Sequence, residues 1–154
     1  MALAYPVRLF RKIAGLDAYV QVWLVPAWLG LGMASLMIVL LTFRWIAPLL
    51  GRPCEAGGTF LAGKPEDQRR ALQIARAIEL ASRFAPWRSD CYPQAMVARL
   101  MLGLSGLPCT VMIGVRREGG TGKAEGHAWV KCGQTEVCGG AISANYAVIA
   151  VFSS

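Results

Sequence analysis

Apolar positions along this chain fall into two unlike patterns. Between Asp17 and Arg44 there is no charged residue, and the run AYVQVWLVPAWLGLGMASLMIVLLTF has no polar face. A membrane-crossing helix needs about 20 mostly apolar residues, so the run is long enough. Pro26, Gly30 and Gly32 interrupt it, and Gln21 and Ser35 add polar points. Proline costs about 3 kcal/mol inside a soluble helix, whereas membrane helices tolerate it better. Two readings follow: a membrane-crossing or membrane-surface helix, or two shorter helices near 17–29 and 33–50 docked on the rest of the chain. Arg8, Arg11 and Lys12 precede the run and Arg44 and Arg52 follow it, so the basic flanks set no orientation. A cleaved signal peptide fits poorly, because the run is too long and ends in FRWIAPLLG.

The second pattern is that of an ordinary small α+β domain. Residues 51–67, GRPCEAGGTFLAGKPED, read as a Gly- and Pro-rich linker or loop. A helix then starts at Pro65-Glu66-Asp67, with acidic residues suited to its N-terminus. Leu72, Ala75, Ile78 and Leu80 share one face, and Arg69, Arg70, Arg76 and Arg83 occupy much of the other. That helix stops before Pro86. A second helix begins at Ser89-Asp90-Cys91, takes Pro93 in its first turn and ends near Gly106. Four strands follow: CTVMIGVRRE, EGHAWVKC, TEVC and NYAVIAVF, with turns at Gly119–Gly122 and Gly133-Gln134. Alternation along EGHAWVKC places His127 and Trp129 on one face and Ala128 and Val130 on the other. The expected organisation is a hydrophobic helical segment over 1–55, a linker over 56–67 and a domain over 68–154.

Composition adds limits. The 154 residues are 55% hydrophobic and 16% charged, against roughly a quarter charged in average soluble chains. This excludes disorder, and no period of a repeat array recurs. The net charge of +7 is spread along the chain, and the arginine face of the first helix reads as solvated surface. No nucleic-acid partner is expected. Arg116-Arg117 read as residues that hold a turn in water.

The candidate chemistry is sulfur and imidazole. There is one histidine, His127, and five cysteines: Cys54, Cys91, Cys109, Cys132 and Cys138. No CxxC pair and no phosphate loop occur, so neither a metal nor an intrinsic cofactor is expected. An odd cysteine count suits free thiols in a reducing compartment, hence the cytoplasm, although Cys132 and Cys138 have hairpin spacing that would permit pairing. Four of the cysteines read as small core residues. Cys91 differs: it opens a helix, where free N–H groups and the helix dipole favour a thiolate and lower the thiol pKa. His127, on a strand packed against that helix, would supply the base that a cysteine nucleophile needs.

Together, WRSDCYPQAMVARLMLGLSGLPCTVMIGVRREGG and GHAWVKCGQTEVCGG resemble the transglutaminase-like cysteine peptidases of lasso-peptide biosynthesis. Trp87 four residues before Cys91, the Gly-Leu-Pro turn before the Ile-Gly-Val strand, the His127-Ala128-Trp129 tripeptide and Gly139-Gly140 carry the likeness. The resemblance implies a papain/transglutaminase-like fold. It implies Cys91 as nucleophile and His127 as general acid/base, with N–H groups at the helix start as oxyanion donors. It implies removal of the leader from a ribosomally made precursor. It also implies a separate leader-recognition protein and a lasso cyclase as partners, with residues 18–50 as a surface for a partner or the membrane. One departure stands out: Gly139 occupies the position where an Asp usually orients the imidazole. Glu136, Gln134, Asn145 and a backbone carbonyl are the alternatives. Two other readings stay open: an acyl transferase of transglutaminase type, and a membrane-associated scaffold without activity.

Overall fold

The computed structural model describes residues 15–41, 43–54, 64–117 and 124–153. The basic lead-in with Arg8, Arg11 and Lys12, linker residues 56–63 and the Gly119–Gly122 turn lie outside them. In chain order the elements are α1 (Ala18–Leu40), α2 (Phe43–Ile46), a 3-10 turn (Ala47–Leu50), β1 (Arg52–Cys54), α3 (Pro65–Arg83), α4 (Cys91–Leu104), β2 (Thr110–Arg117), β3 (Ala124–Cys132), β4 (Thr135–Cys138), a second 3-10 turn (Gly140–Asn145) and β5 (Ala147–Ser153). The strands form one antiparallel sheet in the order β1-β5-β2-β3-β4. Helices α1, α3 and α4 pack on one another, and α4 lies against β3.

Helix α1 runs without a break through Pro26, instead of dividing into two helices. The proline faces outward, as does Val22, whose carbonyl loses its helical partner there. The two glycines are contact points and not interruptions. A side chain at Gly30 would press on Val97 of α4 at 3.2 Å, and one at Gly32 would meet the Trp87 ring at 2.8 Å. Trp87 in turn packs on Trp28 with ring centroids 4.5 Å apart.

Val20, Ala27, Leu31 and Ala34, spaced seven, four and three apart, form the buried stripe of α1. They join Ala71, Ile74, Ile78 and Ala81 of α3 and Ala95, Ala98, Met101 and Leu102 of α4 in one core. Full burial of a residue the size of Leu31 stabilises by about 1.5–3 kcal/mol. Polar ties fix both ends of α1. Asp17 caps it through the Tyr19 N–H and reaches Gln73 and Arg69 of α3. Ser35 Oγ donates to the Arg88 carbonyl at 2.6 Å. The apolar segment therefore shares its core with the following domain.

Two further expectations need correcting. The buried face of α3 is Ala71, Ile74, Ala77, Ile78 and Ala81, and Leu72 is exposed. The supposed linker begins with β1, whose Cys54 pairs with Val151 of β5. The free thiols expected from the odd cysteine count are observed: Cys132 and Cys138 are not bonded, and the register sets them opposite Thr135 and Val130. All five thiols are free. By contrast, β2, β3, β4, β5 and the α4 start at Asp90-Cys91 lie where the sequence pattern puts them.

Candidate active site

Cys91 is the first residue of α4, and Asp90 is its N-cap in extended geometry. The Asp90 carboxylate does not cap the helix. It is held by the Arg88 guanidinium at 2.9 and 3.2 Å, while the Asp90 carbonyl accepts the Gln94 N–H. The half-buried thiol faces backbone N–H groups of Ala128, Tyr92 and Cys91 itself, which lower its pKa. Burial outweighs them, and the Asp90 charge adds to burial, so the pKa lies above the usual thiol range. This corrects the expectation that a helix start alone yields a thiolate. Desolvation of the anion exceeds the pull of the N–H dipoles here. Burial of the sulfur pushes the thiol of the partly exposed Cys138 further, to about 12.

His127 is buried on β3. Its Nε2–H donates to the Gly139 carbonyl at 2.7 Å. In a neutral ring that bond leaves Nδ1 as the lone-pair nitrogen, free to act as a base. The imidazole lies beside Trp129 and Tyr146, with centroids at 5.8 and 4.9 Å. Trp129 and Tyr146 form a small cluster with Met112, whereas Ala128 and Val130 belong to the helix-side core. The alternation read from the sequence is thus observed.

Gly139 is where the structure answers the missing Asp. Its φ of +71° lies in the left-handed region. A Cβ there would collide with the Ala128 carbonyl oxygen. No Asp side chain fits, and the main-chain carbonyl of the same position accepts the imidazole N–H instead. Glu136 pairs with Lys131, and its carboxylate lies beside Gly140. Gly114, opposite His127 in the β2–β3 register, leaves room for the Trp129 ring and for Tyr146, each of which would approach a Cβ there at 2.9 Å.

Beyond the ring lies a polar rim that sequence reasoning missed. Arg116 pairs with Glu125 at 2.6 Å and its guanidinium lies 5.1 Å over the Tyr146 ring. Arg116 lowers the Glu125 pKa, and the Tyr146 hydroxyl donates to the same carboxylate. So Arg116 does more than hold a turn in water. The only sequence signal for this rim is register: Arg116 and Glu125 are cross-strand partners once β2 and β3 are aligned.

The thiol meets the backbone N–H of Ala128, the residue that follows His127 on β3. Among the described residues no hydrogen bond joins the two side chains. Among them also no cluster of three or more metal-ligating side chains occurs. A helix-borne Cys beside a strand-borne His is the layout of a fold family, and the family model of the transglutaminase-like superfamily matches residues 37–151.

The chain belongs to the transglutaminase-like superfamily.

Comparison with curated proteins and with solved structures gives no match. The transglutaminase-like match spans the end of α1, the remaining helices and nearly all of the sheet. It supports cysteine-based chemistry of the peptidase or acyltransferase kind. In this transglutaminase-like domain Cys91 and His127 sit at the helix start and strand described above, with Gly139 behind the ring.

Proposed function

We propose that this transglutaminase-like domain is a cysteine peptidase that removes the leader from a lasso-type precursor peptide. The observation that carries the reading is the His127 ring held through Nε2 by Gly139 beside the backbone that meets the Cys91 thiol. The reaction begins with proton transfer from Cys91 Sγ to His127 Nδ1. The thiolate attacks the leader–core carbonyl, and the tetrahedral oxyanion is met by N–H groups at the start of α4. Imidazolium then gives its proton to the leaving amine as the C–N bond breaks. Water, deprotonated by the same imidazole, hydrolyses the thioester. The raised thiol pKa makes this transfer part of the catalytic step, in place of a resident thiolate.

The proposed partners are a leader-recognition protein, which presents the precursor, and a cyclase, which uses the freed amine. The exposed apolar side of α1, with Val22, Val25, Leu29, Met33 and Leu36, is the surface proposed for a partner or for the membrane. The α1 helix is long and apolar enough to cross a bilayer. In the described fold, however, its other face is occupied by α3 and α4.

The test is cleavage of a lasso precursor with the leader-binding protein present, read by mass. Folded Cys91→Ala is expected to give no product, and His127→Ala a loss of about 100-fold or more. Full activity of Cys91→Ala would overturn the reading. An acyl transferase is separated by product mass, because hydrolysis adds water whereas transfer joins two amines.

A further inference from the structure

Two apolar cavities adjoin the first turn of α4. The smaller, about 290 Å³, is walled by Ile38, Leu41, Leu50, Tyr92 and Met96 over Ala128. None of its lining residues carries a charge. The larger, about 760 Å³, shares Ile38 and Tyr92 with it and opens along Leu36, Val39 and Trp87. Tyr92 follows Cys91 in sequence, and Ala128 is the residue whose N–H faces the thiol. The smaller cavity is therefore next to the nucleophile without including it.

We propose that this cavity is the acyl-side subsite, and that it takes one large apolar side chain of the substrate. The inference rests on Cys91 being the nucleophile. Its side follows from the placement of the proton donor. The leaving amine must lie by His127, whose ring is on the Trp129–Tyr146 face of the sheet. The cavity lies on the opposite face, with Ala128 and Val111 as its floor. The acyl half of the scissile bond is thus directed toward the cavity. A charged residue entering it would lose water and find no partner. A large apolar one would fill a pre-formed, uncharged space.

The probes are 4-nitrophenyl esters of acetic, 3-methylbutanoic and 3-phenylpropanoic acids, applied to the full chain. Cys91 Sγ attacks the ester carbonyl, the C–O bond breaks, 4-nitrophenolate leaves with the electron pair, and a thioester forms. Acylation at Cys91 is followed by intact mass and peptide mapping, and each rate is divided by that of N-acetylcysteine with the same ester. The corrected phenylpropanoyl rate is expected to exceed the acetyl rate by about tenfold or more. Met96→Trp, which fills the cavity, and Ile38→Trp at its mouth are each expected to bring that ratio toward one. Equal corrected rates on a Cys91 that acylates overturn the subsite and leave the nucleophile standing, as does a ratio unchanged in both folded variants. Should neither variant fold, the wild-type ratio decides alone. No acylation of Cys91 by any ester overturns the nucleophile, and the subsite with it.

Discussion

Cys91 shows two local effects in competition. N–H groups at a helix start favour a thiolate, while half-burial and the neighbouring Asp90 charge oppose it, and the opposition prevails. A raised pKa means less thiolate at neutral pH. Alkylation of Cys91 by iodoacetamide, mapped by mass, is therefore expected to keep rising with pH beyond the usual thiol midpoint. Asp90→Asn removes the neighbouring charge that raises the pKa and is expected to speed labelling at neutral pH by about twofold. Slower labelling would contradict the sign. At Gly139 two constraints coincide, a left-handed φ and a Cβ clash with Ala128. Gly139→Ala is expected to cost about 2 kcal/mol or more, read by urea denaturation, and to weaken the hold on His127. That hold was only half legible in sequence. The position could be counted from His127, but the sequence names side chains, and the acceptor is main chain.

Among the elements, β2 to β5 were legible because each has a single core-facing side or a short β-branched run between turn residues. The boundaries of α1 were not. Local rules read Pro26, Gly30 and Gly32 as breaks, and only tertiary contact shows that the proline faces outward while the glycines admit Val97 and Trp87. Hydropathy also could not choose a buried side, since α1 is apolar all round. The packing chooses it. Leu31→Ala is expected to destabilise the fold by about 2–5 kcal/mol, whereas Leu29→Ala, on the exposed side, should stay within about 0.5 kcal/mol. Thermal or urea unfolding without lipid checks both. Equal effects would mean that α1 is not docked as described. The strand β1 was missed for a related reason: three residues, Arg-Pro-Cys, carry no alternation, and their pairing with β5 supplies the structure.

Across the whole molecule, part of the apolar excess that first suggested a membrane protein serves one core built from three helices and a sheet, while Val22, Val25, Leu29, Met33 and Leu36 on the other side of α1 stay exposed. Fold class was legible because helix-borne Cys followed by antiparallel strands restricts the layout. The lining of the cavity beside Cys91 was not, since Ile38, Leu50, Met96 and Ala128 are far apart in sequence. Their meeting depends on how α1 continues past its buried stripe. The last residue that α1 gives to its buried stripe is Ala34. Ile38 and Leu41 reach the cavity from beyond it and remain partly exposed. Maintenance of the fold and the lining of the proposed subsite thereby fall to different stretches of one rod. Replacements at 38 and 41 can reshape the cavity without removing an atom from that stripe, so related chains are free to diversify there while their scaffold stays fixed.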